Sequence, residues 1–238
     1  MKLLNTTTLA RTSALAGAAV LALLASAGAA SAQDVAVTAN IAVTSDYVFR
    51  GFSQTNEDVA FQGGVDLTAG SFYVGGWASN VDFGDSTTTE VDLYGGYRTE
   101  VSGFNVDVGL IGYGYISAPD AGNYPYLEAK LAVSRAIGPI TAGAAVYYSP
   151  DFFGVDEKAT YVEANLAWSP ITNLTLSGAV GEQFLDVSND YVTWNVGATY
   201  AFAGTPLSLD VRYADTDVDT PSIPISDGRV FATFKATF

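Results

Sequence analysis

The chain has no cysteine, no histidine and one methionine, and its 10 basic residues stand against 25 acidic ones in a total of 238. Without cysteine there is no disulfide framework and no thiolate nucleophile, and without histidine the usual zinc ligand and imidazole base are missing. Neither a cofactor, a metal centre nor catalysis is therefore expected. The shortage of basic residues leaves a net charge of −15, which repels nucleic acid and excludes it as a partner. Long apolar runs are also absent. Although 49% of the residues are hydrophobic, no stretch reaches the roughly 20 consecutive apolar residues of a spanning helix. The apolar residues must instead be dispersed.

The N-terminus carries the features of an export signal. Lys2 and Arg11 precede an apolar core at 14–25, and Ala30, Ser31 and Ala32 form a small-residue cleavage site. The core is too short for an anchor, so residues 1–32 read as a removable signal peptide and 33–238 as one folded domain beyond it.

Beyond residue 33 the dispersed apolar residues alternate with polar ones. Val35, Val37, Ala39, Ile41 and Val43 share one parity, opposite Thr38, Asn40, Thr44 and Asp46. This period of two belongs to a strand with two different faces. The pattern returns around Val65, Leu93, Val108, Leu131, Val146, Leu166, Leu176, Val196 and Val211, and it closes at 230–238. Only 72–83 has no clear phase, because Phe72, Tyr73 and Trp77 place aromatics on both parities. Counting that segment gives twelve strands, an even number that suits a single-chain bacterial barrel.

The connections alternate in length as well. Short, turn-rich links fall at 69–71, 99–103, 136–139, 169–172 and 203–206, whereas the intervening links at 52–58, 84–87, 116–123, 150–159, 185–190 and 214–227 are generally longer. Outer-membrane barrels have short periplasmic turns and longer outer loops. The fold expected is an all-β, antiparallel, up-and-down transmembrane barrel of about twelve strands.

Charge placement separates such a barrel from a soluble sandwich. Asp66, Glu90, Asp92, Arg98, Asp107, Glu128, Lys130, Glu163, Asp210, Arg212, Arg229 and Lys235 all oppose the apolar parity of their strands. These are the predicted pore-lining residues, and their signs are mixed. Glu182 is the exception, at the outer end of its strand, where a charge facing lipid costs about 0–1 kcal/mol instead of the midplane maximum of about 2–4 kcal/mol for Arg or Lys. Tyr47, Phe49, Phe72, Trp168, Tyr200, Phe202 and Tyr213 sit near strand ends and read as interfacial girdles. Arg50, flanked by Tyr47 and Gln54, could serve a constriction, and the simpler reading is a rim salt bridge to a loop carboxylate. Asp215, Asp217 and Asp219 begin like a calcium loop, but Thr220 and Ser226 replace the Gly and Glu that such a loop needs. A solvated acidic loop is the better reading. The final residue, Phe238, ends an apolar face shared with Val230, Ala232, Phe234 and Ala236, and resembles the terminal signal read by the outer-membrane assembly machinery.

Several segments also carry a family resemblance. They are SDYVFRGFSQT at 45–55, QGGVD at 62–66, WASNVDF at 77–83 and EVDLYGGY at 90–97. Together these resemble the TorF family of porin-type proteins over the first half of the folded domain. The resemblance implies a proteobacterial outer-membrane pore, with membrane lipid around it and small solutes or ions passing through. The acidic loops add an expectation of mild cation preference. The competing expectation is a non-conducting barrel with a structural or surface-interaction role.

Overall fold

In the computed structural model, residues 35–120, 122–155, 157–219 and 224–238 are described; the predicted signal peptide lies outside them. Twelve long strands run in chain order: β1 (Val35–Thr44), β4 (Ala60–Ala69), β5 (Phe72–Asn80), β6 (Thr89–Val101), β7 (Phe104–Ile116), β8 (Tyr126–Ile137), β9 (Ile140–Ser149), β10 (Ala159–Ile171), β11 (Leu174–Leu185), β12 (Tyr191–Ala201), β13 (Leu207–Thr216) and β14 (Arg229–Thr237). Each pairs antiparallel with its neighbours, and β1 pairs with both β4 and β14, so the sheet closes into a barrel. The Phe238 and Ala39 backbones extend the closing seam, with N–H to O distances of 2.8 and 3.1 Å. Closure leaves no strand edge, and unpaired backbone groups facing lipid would each cost several kcal/mol.

A two-residue hairpin completes the strands. Its arms are β2 (Val48–Phe49) and β3 (Phe52–Ser53), within the connection from β1 to β4. The other long connections bear the 3₁₀ turn Pro224–Ser226 and the outer loops. Short turns close the opposite end. The alternation expected from link lengths is present except at β12, whose flanking links 186–190 and 202–206 are equally long.

The barrel is apolar outside and polar inside. Ile41, Phe61, Leu93 and Val196 are each about 60% exposed or more. By contrast, Glu90, Glu128 and Gln183 are among the most buried side chains. Strand alternation produces this inversion directly, because neighbouring side chains leave opposite faces of the sheet.

The ambiguous segment also resolves. Phe72 points outward, whereas Tyr73 is buried and donates to Asp107 at 2.7 Å, and Trp77 packs on Tyr47 inside. Aromatics occupy both parities because both faces of this strand use them. Phe72, Trp168, Tyr200 and Phe202 do form part of an external belt at the short-turn end. Tyr47 and Phe49, read from sequence as girdle residues at the other end, instead lie within the barrel, since their loop folds inward. Two charges besides Glu182 also take the outward parity, Asp215 at the loop end of β13 and Arg135. Arg135, near the short-turn end of β8, lays its guanidinium on the Phe104 ring, 4.9 Å from the centroid. Its long stem can carry the charge toward the membrane interface.

Candidate functional site

The connection from β1 to β4 turns inward because its base is tied to the barrel. Asp46 accepts from Ser53 Oγ at 2.6 Å and Thr55 Oγ1 at 3.1 Å, and it pairs with Arg229 at 3.2 Å. At the hairpin turn, Gly51 has a φ of 90°, which a side chain tolerates poorly. A Cβ there would also strike the Thr216 methyl and sit 2.7 Å from Thr193 Oγ1. Glycine lets the turn press against β12 and β13.

Arg50 is carried by this turn into the lumen. Its Nη1 and Nη2 each lie 2.8 Å from an oxygen of Glu128 on β8, and Nη1 also donates to Gln183 Oε1 on β11 at 3.0 Å. The guanidinium lies 4.7, 5.1 and 4.4 Å from the ring centroids of Phe49, Tyr147 and Tyr161. Both charges of the ion pair are almost fully buried. The rim salt bridge expected for Arg50 is therefore incorrect: the partner is a wall carboxylate, because the inward fold of the loop brings residue 50 to β8. Tyr47 donates to Glu90 at 3.1 Å, while Gln54 donates to the Phe52 carbonyl at 3.1 Å and lines the outer side of the hairpin.

The predicted lumen charges fall into separate groups. Asp107 gathers Lys130 at 2.8 Å, Arg98 at 3.1 Å and the Tyr73 hydroxyl. Asp210 pairs with Arg212 at 3.1 Å, and Arg212 reaches Asn195 and Ser177 as well. Asp66 accepts from Tyr94 at 2.7 Å, and Glu163 from Tyr161 and Asn165. Glu90 and Asp92 are buried side by side on β6, where Asp92 Oδ1 has no hydrogen-bond partner among the described residues. Lys235 is exposed near the short-turn end of β14. Arg229 sits instead at the loop base, between Asp46 and Glu57. Lys130 thus bonds across strands to Asp107, while the neighbouring Glu128 is taken by Arg50.

Three cavities follow one another through the barrel. The outer one, about 520 Å³, and the middle one, about 290 Å³, share Phe49. The middle one and the inner one, about 540 Å³, share Tyr147 and Glu163. Phe49 therefore stands between outer and middle spaces, and Arg50 beside it lines the middle one. Charge counting alone missed Gln183, Tyr113, Tyr147 and Tyr161 as parts of this centre, although all four lie on the polar parity of their strands. That parity was the available signal. Outside the strands, Tyr124 donates to Asp85 at 2.7 Å, and this bond holds the Tyr124 hydroxyl pKa above its usual value.

Among the described residues, no group of three or more acidic side chains could hold a metal ion. The Asp215 loop is described only in part, because residues 220–223 lie outside the described set.

Comparison with known proteins agrees with the architecture. The sequence model of the family described as "Bacterial protein of unknown function (Gcw_chp)" matches residues 26–238, so the chain belongs to that family. No curated protein matches the chain by sequence. Among solved structures, the KdgM porin superposes with a TM-score of 0.56 at 8% identity, covering 84% of this chain and 98% of that one. The NanC porin gives 0.53 at 9% identity, with 85% and 98% covered. The COG4313 outer membrane channel from Pseudomonas putida F1 gives 0.52 at 8%, with 85% and 95% covered. At such identities the likeness is one of fold. These matches support a porin-type barrel and do not supply the narrower TorF assignment.

Proposed function

We propose that this member of the Gcw_chp family is a porin-like channel of the bacterial outer membrane, exported through the periplasm and passing small solutes or ions by passive diffusion. The observation that carries the reading is the succession of three cavities inside a closed barrel with an apolar exterior. Twelve strands enclose more room than the side-chain-filled eight-stranded barrels and less than open porins of 16 to 18 strands. The inward hairpin narrows that room further. Solutes would pass Arg50 at the constriction and then meet paired charges around Asp107 and Asp210. The pore-lining roles inferred from strand parity belong to this proposal, as does lipid contact along the outer face.

One neighbour, the KdgM porin, is described in complex with disordered oligogalacturonate, an acidic sugar chain. The acidic outer loops of this chain argue against the same cargo and favour cations. The test is single-channel recording on refolded protein in a planar bilayer. Discrete current steps are expected. A barrel that shows heat-modifiable gel migration yet conducts nothing would point to the structural, non-conducting alternative.

A further inference from the structure

The outer cavity differs chemically from the other two. Most of its lining residues are Phe or Tyr, and Asp82 is the only charged one among the described lining residues. Four separate connections and three strand ends deliver the rings. Phe83 lies 5.4 Å from Phe153 and 5.8 Å from Tyr124, and Tyr124 stacks on Phe153 at 4.5 Å. These contacts are enough to tie the loops together, but the rings remain half-buried around a cavity of about 520 Å³.

Two further observations indicate what the space would hold. The surrounding loops are acidic: Glu57, Asp58, Asp85, Asp120 and Asp151 all lie in long connections at this end. Phe49, which this cavity shares with the middle one, already carries a cation: the Arg50 guanidinium, which lines the middle cavity, lies 4.7 Å from its ring centroid. Aromatic faces attract cations through the ring quadrupole, and quaternary ammonium groups are held in this way. We propose that the outer vestibule binds small organic cations, of the size and kind of choline, before they reach the constriction. The proposal rests on the channel reading only in taking this cavity as the entrance.

Binding can be measured without conduction. Choline would be titrated into the refolded full-length chain in detergent, in parallel with its uncharged isostere 3,3-dimethyl-1-butanol and the neutral sugar maltose, by calorimetry and tyrosine fluorescence. Choline is expected to bind about tenfold more tightly than the isostere, the order of a partly desolvated cation–π contact. Phe153→Ala should remove most of that binding. Asp82→Asn, which keeps the rings, should weaken choline several-fold and leave the isostere unchanged, and heat-modifiable migration verifies that both variants fold. Equal binding of choline and isostere, preference for maltose, or no binding at all would overturn the proposal. Current steps without choline binding would overturn it while leaving the channel reading intact. Choline binding without current would support it and count against the channel instead.

Discussion

Arg50 and Glu128 form a two-point bridge inside the barrel, 2.8 Å at each carboxylate oxygen, between residues 78 positions apart in sequence. It ties an inward loop to the wall. Removing one partner of a buried pair leaves the other charged and unsolvated, which typically costs about 3–5 kcal/mol. In this barrel the loop can escape that cost by leaving the lumen.

Arg50→Ala and Glu128→Gln should therefore both enlarge single-channel conductance, with a modest fall in barrel stability because the strand ladder stays intact. Conductance at or below that of the unmodified protein would show that the hairpin is not the constriction.

Gly51→Ala tests the same element through its backbone. The residue must hold a φ of 90° and would push a methyl group into Thr193 and Thr216. Left-handed geometry alone costs an L-residue about 1–2 kcal/mol, and the clash adds to it. The expected outcome is a displaced hairpin and larger current, resembling Arg50→Ala. Protease sensitivity of the loop in folded protein provides a second readout.

Asp107→Asn should shift ion selectivity. Arg98 and Lys130 both lean on this carboxylate, so its neutralisation leaves two uncompensated cations at the inner cavity. The unmodified channel should prefer cations in a reversal-potential measurement across a potassium chloride gradient, and the variant should move toward anions. An unmodified channel that prefers anions would sink the assignment of the acidic mouth.

Leu93→Arg tests the lipid face. Leu93 is 59% exposed on the outside of β6, where a midplane arginine costs about 2–4 kcal/mol. The folded fraction in lipid vesicles should drop sharply, whereas Glu182→Gln, at the outer end of β11, should change it little. Equal tolerance at both positions would contradict a membrane around the barrel.

Deletion of Phe238 removes both backbone bonds that this residue exchanges with Ala39 at the closing seam. Assembly into vesicles should slow and the folded yield should fall. Unchanged kinetics would mean that β1 and β14 close adequately without the terminal residue.

Much of this architecture was legible in sequence because strand faces are encoded locally. Val35 through Val43 place alternate residues on one side whatever the rest of the chain does, and repeating that reading along the chain gave the strands and their two faces. Link lengths likewise reported the two ends. Parity failed only at 72–83, where Tyr73 and Trp77 serve the interior while Phe72 serves the exterior. Periodicity of hydrophobicity cannot separate faces that use the same residue type.

The site depended on contacts that no local pattern contains. Residues 45–55 stood out as a motif, yet nothing near them specifies whether the loop lies over the rim or inside the barrel. That was decided by Asp46 meeting Arg229, Gly51 meeting Thr216, and Arg50 meeting Glu128 and Gln183, the last 133 positions away. A strand shows which side a residue faces. Only closure of the barrel determines which charges stand opposite one another across its interior.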